Sequence, residues 1–256
     1  MSISAQVAPI RSGSALRKLT LTEGKLLLRE PIALFWAVVF PMILMVVMGL
    51  VSSTPDPALG GRRLVETYQP ILIAFVTAAL AVQGLPAVLA GYRERGILRR
   101  LATTPVGSHR VLAAQLAVNL AVALIATLGI IVVGKLAFHT DFPRQWPGFL
   151  LALLLLAASM LTLGLLMAAV APTGRSANAI GAIVFFPMMF FAGLWLPRAL
   201  MSPVLRRISD FTPLGAAVRA LQAAMVGDWP PVSALAVLAG STIVFGAVAA
   251  RLFRWE

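Results

Sequence analysis

Six long apolar runs constrain this chain more than any other feature: residues 32–51, 71–91, 111–136, 149–170, 177–196 and 232–253. About 20 apolar residues cross a bilayer as a helix. Inside hydrocarbon every backbone N–H and C=O must find a partner, which leaves only helices or a closed barrel. Continuous runs of this length, without the two-residue alternation of a barrel strand, predict an all-α, polytopic membrane protein with six transmembrane helices. Composition agrees: 60% of the residues are hydrophobic and 12% charged, against about 45–50% and about 25% in soluble domains. The connectors "SSTPDPALGG", "HTDFPRQWPG" and "APTGRS" are turn formers of the kind expected outside the hydrocarbon.

Orientation follows from the basic residues. With the N-terminus inside, 13 of the 21 Lys and Arg fall on the cytoplasmic side. The multi-pass chain then has both termini in the cytoplasm. No cleavage site follows its basic start, so the tail is expected to be kept. Trp36, Tyr68, Tyr92, Trp146, Trp195, Trp229 and Trp255 all lie at or near span ends, as an aromatic belt requires. The net charge of +12 sits beside apolar runs, so the partner it implies is membrane lipid and no nucleic acid is expected. Arg greatly outnumbers Lys, which points to a GC-rich bacterial genome and hence a bacterial plasma membrane.

The chemistry the spans lack is equally informative. None carries an acidic residue, whereas ion-coupled carriers place ionisable groups inside the bundle. There is no cysteine, and the two histidines are far apart. "GIIVVGKL" mimics a phosphate-binding loop, but it ends in Leu136 where Ser or Thr would hold magnesium, and it falls inside a predicted membrane helix. The reading is of a chain that is not an enzyme and binds no cofactor, and whose energy for any uphill transport comes from another polypeptide. Gln83, Asn119 and Asn178 are read as interhelical hydrogen-bonding groups. Pro41, Pro86 and Pro187 are expected to bend their spans.

Two basic segments flank the first two spans. At residues 14–30 a helix would gather Lys18, Lys25 and Arg29 on one side and Leu16, Leu19, Leu26 and Leu27 on another. It reads as an interfacial amphipathic helix, interrupted by Glu23 and Glu30, or as a merely basic flank. The segment "YRERGILRRLATTPVG" puts Glu94, Ile97, Leu98 and Leu101 on one side of a helical projection, with Arg93, Arg95, Arg99 and Arg100 around the rest. Glu94 has no basic residue at helical ion-pair spacing. Spacing alone leaves a docking face or a topology-setting loop on lipid headgroups. Residues 197–231 place Leu214, Val218, Leu221 and Met225 on one helical stripe, which predicts a short amphipathic or re-entrant helix pair.

"YRERGILRRLATTPV" closely resembles the E-R-G-hydrophobic-Leu-basic-basic-Leu…Thr-Pro signature of type-2 ABC exporter permeases. "REPIALFWAVVFPMILMVVMG", "FFPMMFFAGLWLP" and "LRRISDFTPLGAAVRAL" resemble further landmarks of that family in the same order. The resemblance implies a tail and interfacial helix over 1–31 and a six-span permease domain over 32–256. It makes 92–102 a cytoplasmic coupling helix, with Glu94, Arg95, Gly96, Leu98 and Leu101 on the motif positions that dock an ABC ATPase subunit. It places 197–231 outside the cell. ATP and magnesium would be bound by that ATPase, and a second permease subunit, the same or related, would complete the path. The cargo expected is hydrophobic or amphiphilic, drug-like or lipidic, as in multidrug efflux and antibiotic resistance. Phe185, Phe186, Met188, Met189 and Gln83 are candidates for its path. A stand-alone secondary carrier and a membrane scaffold are the alternatives.

Overall fold

The computed structural model describes residues 12–51, 54–102 and 108–252. Among these the fold is all-helical, with an isolated bridge between Asp56 and Arg62 as the sole β pairing. Helix α1 (Ser12–Leu28) precedes the first apolar run, which is α2 (Pro31–Leu34), a π-helical turn at Phe35–Val39 and α3 (Phe40–Val51) in unbroken succession. The second run is α4 (Leu64–Ala78), a π-helical turn at Ala79–Gly84 and α5 (Leu85–Glu94). Then follow α6 (Ile97–Ala102), α7 (Ser108–Phe138), α8 (Trp146–Val170) and α9 (Gly174–Ala192). Short helices α10 (Pro203–Phe211) and α11 (Pro213–Val226) lead to α12 (Val232–Leu252).

Among the described residues five helices are long and apolar enough to cross a membrane: Leu64–Glu94, Arg110–Phe138, Trp146–Val170, Gly174–Ala192 and Val232–Leu252. The remaining predicted span is the shorter apolar helix Phe35–Val51, 17 residues long. Leu64–Glu94 has 31 residues, a rise of about 46 Å against a hydrocarbon core of about 30 Å. Part of that helix must therefore stand clear of the membrane.

Proline explains where the π turns sit. A helical proline lacks an N–H and its ring crowds the carbonyl four residues earlier. Pro41 and Pro86 each stand two residues past the end of a π turn that contains that carbonyl, Ala37 in one case and Val82 in the other. Widening the turn relieves both conflicts without breaking the run. Pro187 lies within α9, which has no such turn.

The core forms where α4 and the second π turn are enclosed by α7, α8, α9 and α11, and Ile71, Leu72, Ile73, Met160 and Met189 are fully buried there. Helix α11 carries the expected stripe, with Leu214, Val218 and Leu221 buried. It is also buried on other faces, because Ala216, Ala217, Ala220 and Ala224 let its neighbours close in. Protein therefore covers it on most of its faces. Gly164 of α8 lies so close to the second π turn that a β-carbon would collide with the Ala81 carbonyl. Gly164→Ala is expected to cost about 1–3 kcal/mol through overpacking, read as a lower midpoint of thermal unfolding in detergent.

Candidate functional site

The resembling segment is not one helix. Gly96 has φ +67°, in the left-handed region that glycine enters without penalty. The backbone therefore turns between α5, which ends at Glu94, and α6, which begins at Ile97. The projection that puts Glu94 beside Ile97, Leu98 and Leu101 fails at this turn. Arg95, Arg99 and Arg100 are exposed, and Gly96 and Ile97 are half-buried. The side chains of Leu98 and Leu101 lie outside the described ones, although their backbone is helical.

Arg93 and Glu94 together hold the neighbouring turn. The Arg93 guanidinium donates to the carbonyls of Ala169 and Ala171 at the end of α8. The backbone N–H of Gly174, the first residue of α9, lies 3.4 Å from Glu94 Oε2 and donates to it. A cation on the carbonyl end of one helix and an anion on the amide end of the next both match the helix dipoles. Glu94 thus has a partner that ion-pair spacing cannot reveal, because it is a backbone N–H 80 residues away in sequence.

Helix α1 packs along α7. Lys18, Lys25 and Arg29 are exposed, as an interfacial helix requires, and Leu19 and Leu27 are half-buried. The side chain of Leu16 lies outside the described ones, and Leu26 is exposed. Glu23, which by sequence interrupts the apolar stripe, is instead the buried anchor at 7% exposure. It accepts hydrogen bonds from the Tyr92 hydroxyl at 2.9 and 3.1 Å and from Gln115 Nε2 at 2.6 Å. Burial raises the Glu23 carboxyl above the ordinary range, and the bonds from Tyr92 and Gln115 oppose this only in part.

The groups around that carboxyl are Tyr92 from α5, Gln115 from α7 and, nearby, Glu30 from the α1–α2 turn, with Arg95 on the rim of the same groove. A raised carboxyl holds its proton to higher pH when α1 is docked than when it is free. The docked state therefore binds more protons across that window, and docking weakens as pH rises through it. Because the chain has no cysteine, Leu21→Cys on exposed α1 can carry a single spin label. Its mobility is expected to rise as pH is taken upward beyond the ordinary carboxylate range, and to stay flat once Glu23→Gln removes the titrating group.

Beside this anchor opens a groove of about 1130 Å³. The first run forms one wall, α4 and α5 the back and α9 the other wall, from Glu23, Tyr92 and Arg95 at one end to Leu194 and Trp195 at the other. Both π turns contribute, through Trp36 and Ala37 and through Ala79, Leu80, Gln83 and Gly84. Aromatic rings cross it from wall to wall without a gap: Trp36–Phe40 at 4.9 Å, Phe40–Phe75 at 5.7 Å, Phe75–Phe185 at 5.5 Å and Phe185–Phe186 at 6.0 Å.

Of the candidate path residues, Gln83, Phe185 and Phe186 line the groove. Met189 is fully buried in the core and Met188 packs against it, so neither does. Met189 lies four residues after Phe185 on the same face of α9; both belong to the core, and Phe185 alone also reaches the groove. Gln83, Asn119 and Asn178 all line the groove. They do not form the expected interhelical bonds among the described residues; the Asn119 amide donates within α7, to the Gln115 carbonyl at 2.8 Å. The phosphate-loop mimic is ordinary helix within α7, and its Lys135 ammonium lies 5.6 Å above the Phe142 ring.

A family model described as ABC-2 type transporter matches residues 15–226. No curated protein matches the sequence.

Proposed function

The chain belongs to the ABC-2 type transporter family and is a membrane permease of an ABC transporter, and on that premise we propose that it exports a hydrophobic or amphiphilic compound from the cytoplasm or inner leaflet of a bacterial plasma membrane. The energy comes from a separate ABC ATPase that docks on the α5–α6 elbow, with ATP and magnesium on that subunit. Both termini then face the cytoplasm and α10 and α11 lie outside.

One observation carries the coupling. The turn at Gly96 sets the exposed Arg99 and Arg100 of α6 within reach of a soluble partner, while Arg93 and Glu94 on its other side are bonded to the ends of α8 and α9. A displacement of α6 is thereby passed to two spans, and through Gly91, Tyr92 and Arg95 to the groove. The polar contacts make the elbow and the α8–α9 turn move as one body, in the manner of a hinge between packed helices. The groove is open along the first run and α9, where Trp36 and Phe186 are exposed. A second permease subunit facing these helices would close it.

Pull-down of the tagged full chain from its host in mild detergent, with mass spectrometry of the captured proteins, tests the reading. A soluble ATPase with a phosphate-binding loop is expected in equal amount. A well-folded sample that repeatedly brings none would move a stand-alone carrier or a scaffold to the front.

A further inference from the structure

We propose that the groove takes an amphiphile with a protonated amine head, and that Glu23 and Glu30 select its charge; this rests on the groove being the substrate site. The six apolar runs contain no acid, yet the groove does, because α1 and the turn after it supply two carboxylates from outside those runs. Arg95 is the sole basic residue of the lining, in a chain of net charge +12. The other described acids with a nearby base are compensated elsewhere: Glu66 by Arg63, Asp141 by Arg144 and Asp210 by Arg198 and Arg219. Glu23 and Glu30 form no ion pair among the described residues, and a bound ammonium is the opposite charge that lets Glu23 ionise against its burial.

A second observation is independent of the acids. Asn119 is 7% exposed and lines the same groove, and its side-chain carbonyl accepts no hydrogen bond from any described residue. That oxygen is open to the groove, where an ammonium N–H can donate to it. Glu23, Glu30 and Asn119 thus present acceptors at one end, while Trp36, Phe75 and Phe185 receive an apolar body along the rest. Aromatic faces also attract a cation. An anionic head would instead meet two carboxylates against one arginine, and a quaternary ammonium would bring no N–H to Asn119.

Three probes with one body and different heads separate these cases: pyrenebutylamine, pyrenebutanol and pyrenebutyrate. Each is titrated into the full chain in phosphatidylcholine nanodiscs, and saturable energy transfer from tryptophan is read, Trp36 and Trp195 both lining the groove. The amine is expected to bind at least about tenfold more tightly than the alcohol, with the butyrate weakest. In the Glu23→Gln/Glu30→Gln double variant the amine should fall to the alcohol's affinity while the alcohol is unchanged, which also reports that the groove is intact. Glu30→Gln alone, at an exposed position, should lose part of the preference, about threefold. Equal affinities for amine and butyrate, or a preference that survives the double substitution, would overturn the charge selection and leave the groove as a neutral-amphiphile site. No saturable transfer from any probe would overturn the groove reading and the selection together.

Discussion

Asp210→Ala is expected to lower stability more than any other single change considered, by about 3–5 kcal/mol, because it strands a buried charge. Arg198 is 8% exposed and is paired with the Asp210 carboxylate. The same oxygen lies 3.4 Å from Arg219. Arg198 also donates to the Ser209 hydroxyl, which in turn donates to the Phe191 carbonyl at the end of α9 at 2.5 Å. Arg206 closes the other side by donating to the carbonyls of Arg198 and Ala199. One carboxylate therefore offsets two guanidiniums that join the end of α9, α10 and α11. Its loss should appear as a sharp fall in the detergent melting midpoint and in the yield of folded protein. Asp210→Asn, which keeps the hydrogen-bond acceptor and loses the charge, should fall between wild type and alanine. A melting midpoint unchanged in Asp210→Ala would show that the two arginines find solvent or lipid instead.

The largest functional effect is expected at the elbow. Gly96→Val forces a β-branched residue into φ +67°, a strain on the order of 1–3 kcal/mol that the segment escapes by straightening or re-aiming α6. Glu94→Lys places a cation on the amide end of α9, where the dipole disfavours it, and breaks the bond to Gly174. Both lie outside the core, so membrane insertion and the melting midpoint should change little. In the transporter reassembled with its captured ATPase, substrate-stimulated hydrolysis should fall by at least about tenfold in each, a loss of about 1.4 kcal/mol in coupling. Unchanged stimulation in both variants would mean that the elbow is not where the ATPase pushes. A loss in Gly96→Val alone would assign coupling to the direction of α6 and not to the clamp on the α8–α9 turn.

Much of the fold was legible because a membrane span is a local property: about 20 apolar residues in a row, ended by turn formers, read the same in any context. The expected spans and the helices that form them agree in order, and their ends differ by a few residues, most at Leu64–Glu94, whose inner and outer extensions are too polar or too mixed for a hydropathy run. Gly96 stood in the motif, but a motif position does not disclose a backbone angle. The projection across 92–102 assumed a continuous helix, and a single left-handed residue undid it. Methionine and phenylalanine in α9 are likewise chemically alike in a sequence, and only packing decides that Phe185 reaches the groove while Met189 does not.

By itself, then, the sequence determined the class of molecule, the number and order of its apolar helices, the stripe of α11 and the family signature, since each is written in neighbouring residues. Tertiary structure alone decided that Glu94 bonds the start of α9, that Glu23 is an anchor and not a flaw in a stripe, and that a chain without acids in its apolar runs nonetheless has two carboxylates in its groove. The partners in the two hydrogen-bonded cases lie 80 and 92 residues apart. Periodicity reports what lies on one face of one helix, whereas a buried carboxylate takes its meaning from whichever distant donors the packed helices bring to it.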